Sequence, residues 1–169
     1  MIEVRPERAG DEAAIRHVND EAFGQADESR IVDAVRRAEH RAISLVALDG
    51  SRIVGHILFT PVSIESNESD VSAVGLGPVA VLPELQRQGI GTTLVNAGLQ
   101  ACAREGCQVV VVVGHPEFYP RFGFRPASRN GLRSEYDVPD DVFMVAELEA
   151  GALGRCKGLV RYVSEFASA

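Results

Sequence analysis

A glycine-containing segment in the middle of the chain links an apolar run to a helical pattern: Gln86-Arg87-Gln88-Gly89-Ile90-Gly91-Thr92. Glycines at the start of a helix let backbone N–H groups approach an anion, because no Cβ atom stands in the way. The helix dipole adds partial positive charge at the same place. The segment therefore predicts a cradle for a phosphate or pyrophosphate group; a glycine-assisted turn without a ligand is the alternative interpretation.

Two common phosphate-binding loops do not match this segment. A dinucleotide-binding fingerprint requires a third glycine three positions after Gly91, where Leu94 stands. A Walker A loop requires Gly-Lys followed by Ser or Thr, and the chain contains no such tripeptide. Both of these classes are therefore excluded.

Upstream of the loop, the pattern of apolar residues changes from helical to strand-like. A short strand is predicted over Ile2–Arg5, a helix over Glu12–Phe23 with Asp11 as its N-cap, and a second helix from near Asp27. Three strands should then form an antiparallel meander, because a strong hairpin turn and a polar turn separate them. They are predicted over Ile43–Leu48, Ile53–Ile64 and Val71–Leu82.

The third strand of the meander contains Gly75-Leu76-Gly77-Pro78. Proline donates no ladder hydrogen bond, so a bulge or a break in the pairing is expected there. Such a break leaves polar backbone groups in need of partners, and a peptide-like ligand can supply them.

Downstream of the loop, a helix is predicted over Thr92–Glu105, followed by the β-branched run Val109–Val113. A run without polar residues predicts a strand buried on both faces and parallel to its neighbour. A strand pair is expected near Phe124–Pro126 and Val142–Leu148, and an edge strand over Leu159–Val163. The predicted fold is α/β of the α+β type. Its central sheet is mixed and mostly antiparallel, with helices on both faces and one parallel strand pair joined by the pyrophosphate-binding helix.

Length and composition bound the function. The chain has 169 residues, of which 46% are hydrophobic and 24% charged, so we predict a single domain over residues 1–169. The formal charge of −7 disfavours a nucleic-acid partner and suits a small or cationic ligand. No apolar run approaches a membrane span. Three cysteines without metal-ligand spacing predict buried free thiols, a reducing cytoplasmic location and no metal.

The glycine segment also resembles the acetyl-CoA loop of the GNAT acetyltransferases, which reads Gln/Arg-x-x-Gly-x-Gly/Ala. The order of predicted elements is similar to that of the family from Ile2 to about Leu148, most clearly from Gly77 to Phe124. The segment Gly114–Phe124 resembles a branch of bacterial N-acetyltransferases. The family includes many homodimers, so the resemblance also allows a homodimer.

The resemblance implies two sets of contacts with acetyl-CoA as a co-substrate. In one set, backbone amides together with Thr92 hold the CoA pyrophosphate. In the other set, the backbone of a strand pairs with the pantetheine arm. The first set comprises Gln86, Arg87, Gln88, Gly89, Ile90, Gly91 and Thr92, and the second Val79, Ala80 and Val81.

Amide formation from a thioester needs a neutral amine, support for the oxyanion and a proton for the departing thiolate. Tyr119 stands four residues before the glycine of Gly123-Phe124, as does a tyrosine in the family, which implies that Tyr119 is the proton donor. A packing tyrosine is the alternative interpretation. His115 is the candidate general base, and a helix-start residue is the alternative. Glu84 and Glu117 are further candidates, with solvated or dipole-matching carboxylates as the alternative. A chain of water molecules, or an amine delivered already neutral, would need no side-chain base.

The function predicted is an acetyl-CoA-dependent N-acetyltransferase. It would move an acetyl group to a primary amine of a small molecule or peptide by direct attack on the thioester. The alternative is a non-catalytic acyl-CoA-binding or sensing domain, because neither strand beside the loop carries the acidic or imidazole base found in several relatives. Three further histidines are interpreted as isolated surface or packing residues: His17, His40 and His56.

Overall fold

The computed structural model describes residues 1–168, which fall into two compact units. The first unit contains Met1–Phe59, Gly77–Gly98 and the residues from Ser164. The second unit contains Thr60–Leu76 and Leu99–Val163. The prediction of a single domain over residues 1–169 stays a prediction.

The described chain contains nine β-strands and three α-helices, joined by turns and short 3₁₀ helices. The helices are α1 (Glu12–Phe23), α2 (Asp27–Arg37) and α3 (Ile90–Arg104). The strands are β1 (Ile2–Pro6), β2 (Ile43–Asp49), β3 (Arg52–Ser66), β4 (Ala73–Val81), β5 (Val109–Val113), β6 (Arg125–Pro126), β7 (Leu132–Ser134), β8 (Phe143–Glu147) and β9 (Lys157–Tyr162). No helix in residues 1–168 is long and apolar enough to cross a bilayer.

The strands form a mixed sheet in the order β1-β2-β3-β4-β5-β8-β6, with β9 paired to both β3 and β7. The pairs β1–β2, β2–β3, β3–β9, β5–β8 and β6–β8 are antiparallel. The pair β4–β5, which α3 connects, is parallel, with Ala73 opposite Val109 and Leu76 opposite Val112. The mostly antiparallel fold with a parallel pair is therefore confirmed.

Apolar faces of helices and strands build a separate core in each unit. In the first unit, α1 buries Ile15 and Val18 and α2 buries Val32 and Val35, as their helical spacing requires. In the second unit, alternate residues of β5 enter a core that also contains residues of β8. Each fully buried aliphatic side chain contributes roughly 1.5–3 kcal/mol to folding.

Four local predictions need correction. Helix α3 begins at Ile90, two residues earlier than predicted, and Val113 at the end of β5 is 41% exposed. The carboxylate of Asp11 does not cap α1; it accepts hydrogen bonds from Arg5 at 2.8 Å and from the Arg8 amide at 2.7 Å. The last strand, β9, is not an edge strand, because β7 pairs with it; the three residues of β7 are too few for a periodic signal.

In the third strand of the meander, the pairing ends on the β5 side only, and β4 itself continues to Val81. The ladder between β4 and β5 covers only Ala73–Leu76. The Gly77–Pro78 peptide bond, which is cis, follows directly. The rest of β4, including Val79–Val81, lies beyond this ladder.

Candidate active site

The loop between β4 and α3 contains two left-handed residues. Gly89 has φ +87°, a conformation that a side chain disfavours, and Arg87 adopts φ +63° despite its side chain. Left-handed residues curl the backbone so that successive N–H groups can converge on an anion. A non-glycine residue in this conformation stores strain of order 1 kcal/mol, and such strain concentrates at functional sites.

The backbone amides of the loop are the main donors available to a ligand. In the part of the chain that the structure describes, the amides of the range 87–92 have no internal acceptor. The first internal bond of α3 runs from the Thr93 amide to the Gly89 carbonyl at 3.0 Å. The unpartnered amides of Ile90, Gly91 and Thr92 lie in the first turn of α3, where the helix dipole is positive.

One predicted member of the pyrophosphate set, the Gln86 amide, already has an internal acceptor. The amide of Gln86 donates to the Pro83 carbonyl at 3.4 Å, so the unpartnered amides begin at Arg87. The Gln86 side chain has another role, because its Nε2 donates to the Val81 carbonyl at 3.0 Å. This bond ties the loop to the end of β4. The predicted pyrophosphate set and the predicted pantetheine set are therefore adjoining parts of the first unit.

Within the pantetheine set, Ala80 and Val81 are buried and Val79 is half-buried. Just after this set, the Leu82 amide donates to the Val54 carbonyl of β3 at 3.0 Å. This bond anchors the chain where β4 ends and the loop begins. The backbone beside the cradle is therefore held to the rest of the first unit.

Tyr119 lies at the start of a 3₁₀ helix, Tyr119–Phe122, in the second unit. Its ring is buried and makes edge contacts with Phe118 and Phe124, with ring centroids 5.0 and 5.6 Å away. A Cβ atom at position 114 would overlap the Tyr119 ring, which explains the glycine at Gly114. Glycine is thus required there for close approach, and Gly114 and the aromatic contacts fix the position of the ring.

The contacts described above involve the ring of Tyr119 and not its hydroxyl group. Among the described residues it has no hydrogen-bond partner. Burial raises the pKa of Tyr119 to about 12, so the hydroxyl stays protonated at neutral pH. It can therefore donate a hydrogen bond or a proton to a ligand atom.

His115 precedes this tyrosine in a turn whose backbone it supports. The His115 carbonyl accepts from the amides of Phe118 at 3.1 Å and Tyr119 at 3.3 Å. Its imidazole is exposed, and no described residue holds it. The side chain also lines an open depression of about 480 Å³ together with Pro116, Glu117, Phe118 and Arg121. Residues 115 and 119 are thus neighbours through the backbone.

A second polar feature of the first unit was missed by the sequence analysis. His56 is fully buried on β3, where Asn19 lies 3.2 Å from its Nδ1 and the Ser44 hydroxyl 2.9 Å from its Nε2. Ser44 also donates to Glu7 at 2.7 Å, and Arg36 donates to both oxygens of Glu7. We call these five residues the His56 network. β3 is buried continuously over residues 54–60, so no alternation singles out position 56, and nothing in the sequence identifies its partners.

The hydrogen bonds of the network define one proton arrangement. The Ser44 hydroxyl donates its one hydrogen to the carboxylate of Glu7. Its oxygen therefore accepts a hydrogen bond from Nε2–H of a neutral His56. His56 Nδ1 then accepts from Asn19. Burial lowers the pKa of His56 to about 4, in agreement with a neutral ring.

The other histidines and the nearby arginines have ordinary roles. His17 is exposed, whereas His40 is not isolated, since its Nε2 lies 2.5 Å from Glu165. Arg121 stacks on the Phe118 ring at 4.8 Å, and Arg125 donates to backbone carbonyls. Within residues 1–168, no group of three His, Cys, Asp or Glu side chains is placed to hold a metal ion. All three cysteines are buried free thiols, as predicted.

The loop at the start of α3, the β4–β5 ladder that ends at Leu76 and the parallel direction of that pair are features of an acyltransferase fold of the GNAT type. The model of the GNAT acetyltransferase domain matches residues 3–127, and the chain belongs to this family. The predicted family is therefore confirmed, and with it the class of enzyme, an acetyltransferase.

Individual relatives agree with the family. The uncharacterised N-acetyltransferase YjhQ of Escherichia coli K12 is 37% identical over 134 residues, covering 78% of this chain and 74% of YjhQ. YhbS of the same strain is 31% identical over 166 residues, covering 98% of this chain and 96% of YhbS.

Two solved structures are similar over almost the whole chain. YhbS from Escherichia coli, crystallised in complex with CoA, gives a TM-score of 0.92 at 30% identity, covering 98% of this chain and 92% of that one. A GNAT family acetyltransferase from Brucella melitensis, in complex with acetyl-CoA, gives 0.81 at 33% identity, covering 98% of both chains.

Proposed function

We propose that this protein transfers the acetyl group of acetyl-CoA to a primary amine of a small molecule or peptide. The observation that carries the proposal is the row of unpartnered backbone amides over 87–92, at the positive end of α3. Such a row suits a diphosphate, because each N–H can donate to a phosphate oxygen without competition from internal carbonyls. Similar structures that contain CoA and acetyl-CoA support the identity of the ligand.

The backbone of Val79, Ala80 and Val81 is proposed to pair with the pantetheine arm. Pantetheine contains two amide groups, so it can take the place of a neighbouring strand. This role is supported by the end of the β4–β5 ladder at Leu76. The bond from Gln86 to the Val81 carbonyl keeps this segment and the cradle in a constant relation to each other.

The proposed reaction is a direct transfer. The nitrogen of the neutral amine attacks the thioester carbonyl carbon, an N–C bond forms and the C–S bond breaks. Tyr119 gives its hydroxyl proton to the departing sulfur and regains one from solvent. His115 accepts the proton that the amine loses, with water as the alternative acceptor.

Two features of the second unit support the role of Tyr119. Its hydroxyl has no hydrogen-bond partner within residues 1–168, so none of the described hydrogen bonds must break before it donates. Burial raises its pKa, so the hydroxyl is protonated at neutral pH and can donate to the sulfur on which negative charge develops. The exposed imidazole of His115 fits a base that exchanges protons with water.

The cationic class of acceptor and the cytoplasmic location are further parts of the proposal. The formal charge of −7 attracts cations, which favours an amine that is protonated in solution. Three buried free thiols suit a reducing compartment. The homodimer that the resemblance allows stays a prediction.

The test is a turnover assay with acetyl-CoA and a panel of amines, amino acids and peptides. Free CoA thiol is measured continuously, and the acetylated product is identified by mass spectrometry. We expect thiol release that requires an amine and produces an equal amount of amide. Tight acetyl-CoA binding without thiol release for any amine would instead indicate the non-catalytic acyl-CoA-binding domain.

A further inference from the structure

A group of aromatic and acidic side chains in the second unit has no role in the chemistry described so far. The rings of Tyr136 and Tyr162 lie 5.7 Å apart at an interplanar angle of 39°. The carboxylate of Glu135 accepts the Tyr162 amide at 2.8 Å. We call these three residues the tyrosine pair and its carboxylate.

The backbone holds this group firmly. β7 runs parallel to β9, and beyond its end the Glu135 amide donates to the Val160 carbonyl at 3.3 Å. Tyr162 stands opposite Val62 of β3, and its ring covers Gly75 of β4, where a Cβ atom would overlap it. The absence of a side chain at position 75 is therefore what makes room for the Tyr162 ring.

The group is partly exposed and negatively charged. Tyr136 is 36% exposed and Glu135 is exposed, while Tyr162 is half-buried. Burial, and then the charge of Glu135, raises the pKa of Tyr136; for Tyr162, burial and the neighbouring Tyr136 act in the same direction. Both phenols are therefore neutral at pH 7, and Glu135 supplies the negative charge.

Of the two nearest arginines in the sequence, one has another partner and the other lies on the opposite face of its strand. Arg133 donates to Glu65 at 3.3 Å. Arg161 precedes Tyr162 on β9 and lies on the opposite face of the strand, because successive side chains alternate. Two aromatic faces beside a carboxylate form the chemical setting that recognises an organic cation, by cation–π attraction and by charge.

We propose that Glu135, Tyr136 and Tyr162 form a binding subsite for an alkylammonium group. This inference rests on the proposed function to the extent that the bound cation is an acceptor, and it narrows the acceptor to amines that carry a positive charge.

The subsite can be tested without turnover. The chain contains three tyrosines and no tryptophan, so tyrosines labelled with ¹³C in the ring give three sets of NMR signals. The full chain is titrated with 1,4-diaminobutane and with the uncharged 1,4-butanediol at constant ionic strength. We expect the diamine to shift the signals of Tyr136 and Tyr162 in a saturable way, whereas the diol has no effect.

Two variants separate charge from structure. Glu135→Gln keeps an oxygen that can accept the Tyr162 amide, so the fold is retained while the charge is lost; we expect the dissociation constant of the diamine to rise at least tenfold. Tyr136→Leu removes an exposed ring and should raise it several-fold. Glu68→Gln, at an exposed position in the β3–β4 turn, is the matched control and should leave the dissociation constant unchanged.

Equal shifts with the diol, or an unchanged dissociation constant in Glu135→Gln, would overturn the subsite. The amine turnover assay separates this failure from failure of the proposed function. Turnover of the diamine with the same KM in Glu135→Gln and wild type would retain the acetyl transfer and reject the subsite. Diamine binding that depends on Glu135, with no thiol release for any amine, would retain the subsite and reject the transfer.

Discussion

Two polar regions of the first unit differ in how their hydrogen bonds are satisfied. In the His56 network, ring, hydroxyl and carboxylate groups bind one another, and within residues 1–168 its unpartnered buried atom is Asn19 Oδ1. In the loop over 87–92, the backbone donors have no acceptor among the described residues. In the network, His56 and Asn19 are buried and the other three residues are half-buried, whereas most of the loop is exposed or half-buried.

This difference separates stability from binding. Groups that satisfy one another inside the protein stabilise the fold, because removing one leaves its partners buried without a hydrogen bond. Donors left unpartnered at a surface cost little while water solvates them, and they become useful when a ligand arrives. Variants in the two regions should therefore affect different measurements.

The largest effect is expected for Gly91→Glu in the loop. A carboxylate and added bulk at the start of α3 oppose the diphosphate, so we expect the affinity for acetyl-CoA to fall ~1000-fold, or about 4 kcal/mol. Isothermal titration calorimetry measures this affinity. Gln100→Glu adds the same charge at an exposed position of α3 and should bind normally. Unchanged affinity in a folded Gly91→Glu variant would contradict the cradle.

The second prediction concerns the pH dependence of stability. Burial lowers the pKa of His56 to about 4, against roughly 6.5 in the unfolded chain. Between these values the unfolded chain binds a proton that the folded protein excludes, so stability falls as the pH drops from 6.5 to 4. The loss attributable to His56 is about 3 kcal/mol.

Urea unfolding at several pH values measures this loss. His56→Gln removes the titrating group and should flatten the dependence between pH 6.5 and 4, whereas His17→Gln, at an exposed position, should preserve it. Glu7, whose pKa is lowered through Arg36 and Ser44 against the opposing effect of burial, adds a further loss at lower pH. An unchanged slope in His56→Gln would show that His56 is not buried neutral.

The third prediction concerns Tyr119→Phe. The Tyr119 hydroxyl resembles the loop amides in having no described internal partner, so its removal should leave the melting temperature unchanged. We expect kcat to fall about 50-fold, or about 2 kcal/mol, and the acetyl-CoA affinity to change by less than about twofold. A wild-type kcat in this variant would show that Tyr119 is not the proton donor to the departing sulfur.

The smallest effect is expected for Ser44→Ala in the network. Loss of the hydroxyl breaks the link between Glu7 and His56, so we expect the free energy of unfolding to fall by about 1–2 kcal/mol. The acetyl-CoA affinity should stay at the wild-type value. Ser69→Ala, in the exposed β3–β4 turn, is the matched control for stability. Loss of acetyl-CoA binding in a folded Ser44→Ala variant would contradict the view that the network serves stability and the loop serves binding.

Elements with strong periodicity could be predicted closely from the sequence. Helix α1 has the predicted bounds, and Val109–Val113 forms the parallel strand expected from its uniform apolar character. The pairing that ends after Leu76 followed from the chemistry of Pro78. Three-residue β7 and the pairing of β9 on two sides could not be predicted, because both depend on contacts between distant segments.

The candidate site was predictable to the same degree. The loop amides were expected from glycine spacing, since backbone groups need only the correct local conformation. The internal bond of the Gln86 amide and the attachment of its side chain to Val81 depend on how the 3₁₀ turn and the end of β4 meet. Local sequence patterns carry no information of that kind.

The order of the elements, the phosphate-type loop and the family follow from the sequence alone, because periodicity, glycine and proline act over a few residues. Folding in three dimensions decided which polar groups are satisfied. It paired His56 with Asn19 and Ser44, placed Glu135 beside two tyrosine rings, and left the Tyr119 hydroxyl without a described partner. Hydrogen bonding and desolvation depend on neighbours that are distant in the chain, and only the folded structure brings them together.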